Sequence, residues 1–443
     1  MPLLLIAFIV AVLTWTILSV FLSVRQITHV RHTRGVVPAD FARPHAGEET
    51  TSEDPRLEGV APEEHQRAAD YTVAREHLSI VSALFSLVLS LAWALGGLDL
   101  LYGALASAVP PSSALGVVFL LAVFGIGAVL HLPLDIYATF GLEQRFGFNR
   151  TSPGLFMADR CKRWAISSAV AVPLLFGCLW VMRNFAGFWW LWTWFGVLAI
   201  MLAAPSIYVR FIAPRFNRFT PLADEALRQR LETLLRRCGF RASGLFSMDA
   251  SRRSAHGNAF FIGFGKAKRI VLFDTLLERS DPSEIEAVVA HELGHFRHRH
   301  ILFGLARGAV VSFAALAGFG WLTRQDWLLP SFGIMHQDDA LALLVCLMLF
   351  GAVAPLLAPF ANALSRRHEF QADEYARRQV GAAPMVNALM KLSRDNAATL
   401  TPDPLHALFH ASHPSVPLRV RALWEAEARE AKTRQVSEGV AVA

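Results

Sequence analysis

Seven long apolar stretches constrain this chain more than any other feature of its sequence. They lie in a chain of 443 residues and cover approximately residues 2–24, 78–98, 114–140, 164–182, 187–209, 301–322 and 340–361. The hydrocarbon core of a bilayer is about 30 Å thick, and a helix needs roughly 20 mostly apolar residues to cross it. The sequence therefore predicts a mostly α-helical, polytopic membrane protein with seven transmembrane helices.

The placement of positive charge predicts how these helices are oriented. Of the 42 Lys and Arg residues, 39 lie in alternate polar segments, with 7 in residues 25–77, 5 in 141–163, 16 in 210–300 and 11 after residue 361. Polar segments rich in Lys and Arg stay on the cytoplasmic side of a membrane. We therefore expect the N-terminus outside and the C-terminus inside. The net charge of +6 then reflects orientation, and the lipid bilayer rather than nucleic acid is the expected partner.

The apolar stretches and the segments between them predict four parts. Residues 1–212 are expected to form an N-terminal membrane domain with five transmembrane helices and two inner loops, and the first of these, residues 25–77, is expected to be partly ordered. Residues 213–300 form an inner-face domain, residues 301–361 the sixth and seventh transmembrane helices, and residues 362–443 a C-terminal helical part on the inner face. The four cysteines are scattered, so they predict neither a disulfide framework nor a cysteine metal site. No partner protein is predicted.

The inner-face domain contains two strand-like runs and the start of a helix. Residues 258–263 and 269–274 are rich in β-branched and aromatic side chains, so we expect a β-hairpin. Ser283 can cap a helix, and Glu286, three residues later, can complete a capping box. The pattern predicts a helix that starts near Glu284 and continues to or into the sixth apolar stretch.

Two histidines on this helix are placed to bind one metal ion. His291 and His295 occupy the ends of the sequence HELGH, so both imidazoles project from one helix face and can bind the same zinc ion. Glu292 lies beside them, where a carboxylate can take a proton from zinc-bound water, whose pKa the metal lowers to about 7. The product is a nucleophile for a peptide carbonyl. Because the five-residue pattern also occurs by chance, a charged helix end near the membrane, with its extra histidines solvated, is the alternative interpretation.

A third ligand decides between these interpretations. Catalytic zinc usually has three protein ligands and one open position. Glu369, in the segment NALSRRHEFQAD, can supply the third ligand, and Asp373 follows it at helical spacing on the same face. Asp373 can therefore accept the N–H of a ligating histidine and fix its tautomer. A surface salt-bridge ladder on this helix, or His298 as the third ligand, are the alternatives. We predict one zinc ion per chain.

Six further segments complete a recognisable set. They are residues 137–149, 214–221, 256–261, 270–275, 403–405 and 412–414. Together with HELGH and NALSRRHEFQAD, and in this order, they resemble the type I CAAX prenyl protease family of integral-membrane zinc metalloproteases, which are of the gluzincin type. The resemblance extends over most of the chain.

The resemblance implies a fold and roles for particular residues. It implies seven transmembrane helices enclosing a hydrated chamber, with the zinc site lining the chamber on the cytosolic side. It places Asn258 and Ala259 on an edge strand that pairs with an extended substrate, and His413 where the family's histidine stabilises the tetrahedral oxyanion. Asn362 and Arg366 match motif residues near the metal. A turn residue at Asn258 and a local cap at His413 are the structural alternatives.

The resemblance also implies an activity. It indicates a zinc metalloendopeptidase that hydrolyses peptide bonds near the C-terminus of its substrates, which are prenylated for the family's eukaryotic members. The alternative is a membrane-protein quality-control metalloprotease without prenyl specificity, which usually has fewer spans and lacks the segment at residues 137–149. A transporter or receptor with an inactivated site is a third class, and the intact Glu292 argues against it. Three ionisable residues within the apolar stretches, His131, Asp135 and Arg307, suit either a hydrated chamber or a structural ion pair.

Overall fold

Seven helical segments of the computed structural model are long and apolar enough to cross a membrane, which confirms the predicted number. The structure describes residues 3–38, 41, 59–110, 112–185, 187–240, 244–262 and 269–441. The seven spans are Leu3–Thr33, Pro62–Ala106, Ser113–Glu143, Pro153–Asn184, Trp189–Arg215, His300–Leu322 and Asp339–Val380. Large apolar side chains such as Ile17, Val88 and Phe303 are exposed on these helices, as is required where the surroundings are lipid.

Fifteen α-helices lie in the part of the chain that the structure describes. They are α1 (Leu3–Thr33), α2 (Pro62–Ala92), α3 (Leu98–Ala106), α4 (Ser113–Ile136), α5 (Pro153–Asn184), α6 (Trp189–Ile207), α7 (Glu225–Arg237), α8 (Asp274–Arg279), α9 (Pro282–Arg297), α10 (His300–Leu322), α11 (Asp339–Val353), α12 (Ala358–Val380), α13 (Ala382–Asp395), α14 (Pro404–His410) and α15 (Val416–Ala441). Wider helical turns at Tyr137–Glu143 and Tyr208–Ile212 lengthen the third and fifth spans. In the second span, α2 and α3 meet at a kink in Trp93–Gly97, where Gly96 has φ +125°.

The first inner loop is shorter than predicted. α1 continues to Thr33 and α2 begins at Pro62, so both ends of residues 25–77 are helical. Pro62 suits the first turn of a helix because its fixed φ angle is already helical. The Glu64 carboxylate accepts the backbone N–H of Ala61 at 3.0 Å, which completes the cap. Residues 42–58 of the predicted loop lie outside the described residues.

A small sheet of four strands lies in the part of the chain between the fifth and sixth spans. Its strands are β1 (Phe219–Pro221), β2 (Leu245–Met248), β3 (Ala259–Ile262) and β4 (Arg269–Phe273), in the order β1-β2-β4-β3. β2 and β4 are parallel, and the other pairs are antiparallel. The pairing of Ala259 with Leu272 confirms the predicted hairpin of β3 and β4. β3 is an edge strand, with one of its sides left open by the described residues.

The cap of α9 differs from the prediction. The N-cap residue is Asp281, and its backbone N–H donates to the Glu284 carboxylate at 2.9 Å. The predicted pair was Ser283 and Glu286. Pro282 explains the shift, because a proline at the first helical position fixes where the helix begins. Glu286 instead binds Arg230 on α7 at 2.6 Å.

The end of α9 is sharp. Arg299 has φ +58°, a left-handed conformation that breaks the helix, and α10 starts at His300. α9 and the sixth span are therefore two helices, and α9 can pack in the apolar core around the sheet rather than continue in the direction of the span.

An apolar core holds α9 in place. Ile285 and Val289 of α9 are buried in the same cluster as Leu231 of α7, Leu272 of β4 and Val386 of α13. Truncating one such buried aliphatic side chain typically costs about 2–5 kcal/mol of stability. The face of α9 that carries the HELGH histidines is thus fixed by packing on the opposite face.

A large cavity lies between the first, second and seventh spans and the elements that follow the fifth span. Its volume is about 1440 Å³. Apolar side chains from the spans, among them Phe8, Trp15 and Met348, line it together with polar side chains such as Ser82. Small-molecule pockets usually measure about 300–1,000 Å³. The cavity therefore has room for an extended peptide.

Candidate metal centre

Close packing of α9 against α12 brings together three residues that are far apart in the sequence. A methyl group added at Gly294 would lie 2.8 Å from Ala372 Cα and 3.0 Å from the Ala372 carbonyl oxygen, so only glycine fits at this crossing. Ala290 and Ala372 are fully buried. These small residues let the two helix axes approach, and the faces bearing the HELGH histidines and Glu369 then meet.

The side chains of His291, His295 and Glu369 converge at this crossing. The two histidine Nε2 atoms are 3.2 Å apart. Glu369 places Oε2 3.5 Å from His291 Nε2 and Oε1 3.4 Å from His295 Nε2. Two imidazole nitrogens and a carboxylate oxygen thus form a compact triangle that faces the cavity.

These distances test whether a metal ion would fit. Zinc binds His nitrogen and carboxylate oxygen at about 2.0–2.2 Å, so tetrahedral ligand atoms lie roughly 3.3–3.5 Å from one another. The three donors already have this spacing. In addition, Glu369 Oε2 is buried without an aligned hydrogen-bond donor among the described residues. The donor set and its spacing therefore fit a divalent metal.

Asp373 and Arg419 support this triangle from behind. Asp373 Oδ1 lies 2.8 Å from His291 Nδ1, the ring nitrogen that points away from Glu369. The Arg419 guanidinium donates to both oxygens of Asp373, at 2.6 and 2.7 Å, and lies 3.6 Å from Glu369 Oε2. All four side chains are buried. No local sequence pattern indicates Arg419, because only the tertiary fold brings α15 to this place.

The electrostatics of His291 follow from these contacts. Burial alone lowers the pKa of an imidazole, but hydrogen bonds with Asp373 and Glu369 outweigh it and raise the pKa of His291 to about 9. Without a metal ion the ring is therefore protonated at neutral pH. The pocket is built to hold a positive charge between the two carboxylates.

Glu292 lies next to the triangle and faces the same cavity. Burial raises the pKa of its carboxyl group, and the neighbouring His291 and His295 only partly oppose this effect. A carboxylate with a raised pKa is a better proton acceptor near neutral pH. The group is thus suited to exchange a proton with a reactant in the cavity.

His413 also reaches the centre. Its Nδ1 atom lies 2.8 Å from Glu369 Oε2, and 64 % of its side chain is exposed toward the cavity that it lines. Asn362 and Arg366 precede Glu369 on α12. Asn362 donates to the Phe409 carbonyl at the end of α14 at 2.6 Å, and Arg366 donates to the Ala411 carbonyl just after α14 at 2.7 Å. They hold the segment that carries His413 rather than touching His291 or His295.

His298 and His300 take different positions from those expected of a solvated patch. His298 is exposed at the C-cap of α9 and is not part of the converging group of donors. His300, by contrast, is buried, and its Nδ1 atom lies 2.9 Å from His295 Nδ1. Gln371 binds the other ring nitrogen of His300 at 2.8 Å. His300 therefore contacts the second HELGH histidine from behind, a role that the sequence analysis missed.

The edge strand reaches the same cavity. Asn258 and Ala259 both line it. The Asn258 side chain accepts its neighbour's backbone N–H at 2.8 Å, and its carbonyl accepts the N–H of Phe273 at 3.0 Å. The start of β3 thus lies on the cavity that His291 and Glu369 also line.

The intramembrane ionisable residues lie outside this centre. Asp135 forms an ion pair with Arg160 of α5, and the His131 ring packs edge-on against Phe85 at 4.9 Å. These contacts favour the structural interpretation for both residues.

Seven membrane spans, a large cavity and a paired-histidine and carboxylate centre beside a glutamate together define a class: an integral-membrane protein with a metallopeptidase site. Comparison with known families agrees. Residues 26–218 match the model described as CAAX prenyl protease N-terminal, five membrane helices, and residues 221–427 match Peptidase family M48. The chain belongs to this family of CAAX prenyl proteases and is a membrane metalloendopeptidase.

Individual relatives give the same result. A CAAX prenyl protease 1 homolog from Oryza sativa is 34% identical over 70% of this chain and 74% of its own length. CAAX prenyl protease 1 of Saccharomyces cerevisiae is 33% identical over 67% of this chain and 69% of its own. The crystal structure of S. mikatae Ste24p superposes with a TM-score of 0.85 at 27% identity, covering 95% of this chain and 98% of that one. The predicted family, fold class and enzyme class are confirmed.

Proposed function

We propose that this metalloprotease binds one zinc ion through His291, His295 and Glu369 and hydrolyses peptide bonds near the C-terminus of its substrates. The observation that carries this proposal is the spacing of 3.2–3.5 Å among the three donor atoms. Two imidazoles and one carboxylate are a ligand set that zinc prefers in catalytic sites. When bound, the metal lowers the pKa of water and polarises a carbonyl oxygen.

The protein's own groups supply the proton transfers and the positioning. Glu292 takes a proton from the attacking water and returns it to the leaving amine, for which its raised pKa suits it. His413 donates a hydrogen bond to the substrate's carbonyl oxygen as negative charge develops on that atom. Asp373 holds the His291 ring in the orientation that leaves Nε2 free for the metal. Asn362 and Arg366 position the His413 segment.

The open side of β3 is the proposed substrate platform. An extended peptide that adds to this edge next to Asn258 and Ala259 forms main-chain hydrogen bonds whatever its side chains are. Such pairing presents a peptide carbonyl to Glu292 within one cavity.

The membrane orientation and the lipid part of the substrate complete the proposal. The charge distribution favours an N-terminus outside and a metal centre on the cytoplasmic side. Apolar side chains from the spans, including Phe8, Val12 and Leu87, line the cavity that the centre faces. A prenyl group attached near the C-terminus would be desolvated there while its peptide lies on β3.

A paired-substrate assay tests the proposal. Purified wild type is given matched C-terminal peptides with and without a prenyl group, and Glu292→Ala is compared with the control Glu286→Ala, whose side chain binds Arg230 on α7. We expect Glu292→Ala to keep its metal and to lose about 10²–10⁴ in rate, while the control stays active. Full activity of Glu292→Ala would contradict the mechanism. Equal turnover of the prenylated and unprenylated peptides would show that the protein has no preference for a prenyl group.

A further inference from the structure

An unpaired cation lies inside the cavity, away from the metal centre. Arg75 on α2 lines the cavity, and its guanidinium carbon is 5.6 Å from the centre of the Tyr71 ring. No carboxylate oxygen among the described residues comes within 4.0 Å of its nitrogens. Since an uncompensated guanidinium in a partly enclosed site attracts an anion, Arg75 is a candidate binding group.

The acidic residues nearest to Arg75 already have other partners. The Tyr71 hydroxyl donates to Glu143 at 2.5 Å, and the other oxygen of Glu143 lies 3.4 Å from His256 Nε2. Glu76, the next residue on α2, lies 3.3 Å from His406. The charge of each carboxylate is thus shared with its own partner, and the guanidinium remains available.

The other described cations that line the cavity are less suited to bind an anion. Arg419 is buried against Asp373, and His291 and His413 lie at the metal centre. Burial lowers the pKa of His410, which disfavours the charged form of that ring. Among the described residues that line the cavity, Arg75 is therefore the arginine without a carboxylate in direct contact, although Glu143 acts on it at longer range through their charges.

The position of Arg75 relative to β3 suggests what it binds. The chain before β3 continues alongside the sheet, because the His256 carbonyl accepts the Thr275 hydroxyl at 2.9 Å. The His256 ring is joined through Glu143 to Tyr71, over which Arg75 lies. Arg75 is thus at the N-terminal end of the edge strand.

A peptide that pairs antiparallel with β3 runs its C-terminal half toward this end. An extended chain rises about 3.3 Å per residue, so three residues span about 10 Å, which is also the extended length from Ala259 back to His256. A peptide whose cleaved carbonyl lies beside Ala259 would therefore present its terminal carboxylate at the level of His256 if about three residues follow.

From this geometry we propose that Arg75, with Tyr71 and His256 beside it, binds the free C-terminal carboxylate of the substrate. The inference rests on the proposed function and deepens it, since it names the feature that confines cleavage to the end of a chain. The planar guanidinium matches a carboxylate with two parallel hydrogen bonds. Peptides that end in a carboxylate would be favoured over those that end in an uncharged group.

The test compares two peptides of one sequence, one ending in a carboxylate and one in a carboxamide. Their kcat/KM values are measured with full-length wild type, Arg75→Gln and Arg75→Lys, and with Arg31→Gln as a control on the exposed side of α1. We expect wild type and the control to prefer the carboxylate by about 10- to 100-fold, the range of hydrogen bonds to a charged group. Arg75→Gln should reduce the ratio to near one, and Arg75→Lys should retain part of it.

The outcomes separate this inference from the proposed function. A wild type that cleaves both peptides equally, or an Arg75→Gln variant that keeps the preference, contradicts the carboxylate site while leaving the protease intact. Binding of the same two peptides to the Glu292→Gln variant measures the preference for the carboxylate without turnover. We expect their dissociation constants to differ by about 10- to 100-fold. If wild type cleaves neither peptide in a metal-dependent way, the proposed function fails, and the binding ratio still decides on Arg75.

Discussion

Asp373 and Arg419 show how single side chains hold the metal centre in a charged state. Arg419 is buried, and its guanidinium binds both oxygens of Asp373, which in turn contacts His291. Removing one member of a buried ion pair leaves the other charge without compensation. The stability of the protein around the metal centre and the geometry of His291 should therefore depend on the same residue, Arg419.

Replacement of Arg419 tests this dependence. Arg419→Gln removes the guanidinium that binds both oxygens of the buried Asp373 and leaves it only His291, so we expect a loss of about 3–5 kcal/mol in the free energy of unfolding. Arg429→Gln, on the exposed side of α15, is the control and should change stability by less than about 1 kcal/mol, because its ion pair with Glu425 is exposed. Unfolding of the purified proteins in detergent measures both, and equal stability of the two variants would contradict the assignment.

The pKa of His291 makes metal binding depend on pH. Burial lowers this pKa, but hydrogen bonds with Asp373 and Glu369 raise it to about 9, so below that pH the ring must lose a proton before it can bind metal. The apparent metal affinity should fall up to about tenfold for each unit of pH below about 9. Competition with a chelator of known affinity at pH values between about 6 and 8 measures this slope. A pH-independent affinity over this range would contradict the raised pKa of His291.

At the scale of helices, the centre depends on how closely α9 and α12 approach. Gly294 lies at the crossing, where a Cβ atom would come within 2.8 Å of the Ala372 backbone. Backbone atoms cannot move aside as a flexible side chain can. The glycine in HELGH thus sets the distance between the histidines and Glu369.

Adding one methyl group at this crossing tests the idea. Gly294→Ala should push α9 from α12 and weaken metal binding, with an accompanying loss of about 1–3 kcal/mol in stability from overpacking. Gly304→Ala on α10 is the matched control, because nothing lies within 4 Å of its added Cβ. Metal content after dialysis and thermal unfolding measure both effects. Wild-type metal affinity in Gly294→Ala would contradict this explanation.

The same scale shows what local sequence can predict. The hairpin of β3 and β4 follows from runs of β-branched and aromatic residues, and the pairing of Ala259 with Leu272 agrees. The predicted cap of α9 was wrong, because two overlapping capping boxes are possible here, one starting at Asp281 and one at Ser283. Pro282 is the feature that favours Asp281. The break at Arg299 carries no glycine or proline, so nothing local indicates it.

For the whole molecule, the spans could be predicted and part of the centre could not. Each span is a local property, since about 20 apolar residues suffice to identify it. His291, His295 and Glu369 lie on recognisable helical patterns, but Arg419 and His300 reach the centre only through tertiary packing. No sequence pattern indicates Arg75 either, because its importance depends on the cavity around it.

The orientation in the membrane is a prediction at this scale. A cysteine at Met335, which is 82% exposed between the sixth and seventh spans, should react with a membrane-impermeant thiol reagent added to intact cells. A cysteine at Glu232, whose side chain is 48% exposed on α7, should react only after the membrane is opened. Replacing Cys161 with serine removes the exposed native thiol from the background. The reverse labelling pattern would contradict the charge argument.

The measurement that tests the central claim most directly is the zinc content of purified protein with Glu369 or His298 replaced by alanine. Wild type and His298→Ala should each hold one zinc ion per chain, because His298 lies outside the converging donors. Glu369→Ala should lose the metal, since two imidazoles alone form an incomplete site. Retention of zinc by Glu369→Ala, or its loss from His298→Ala, would contradict the proposed centre.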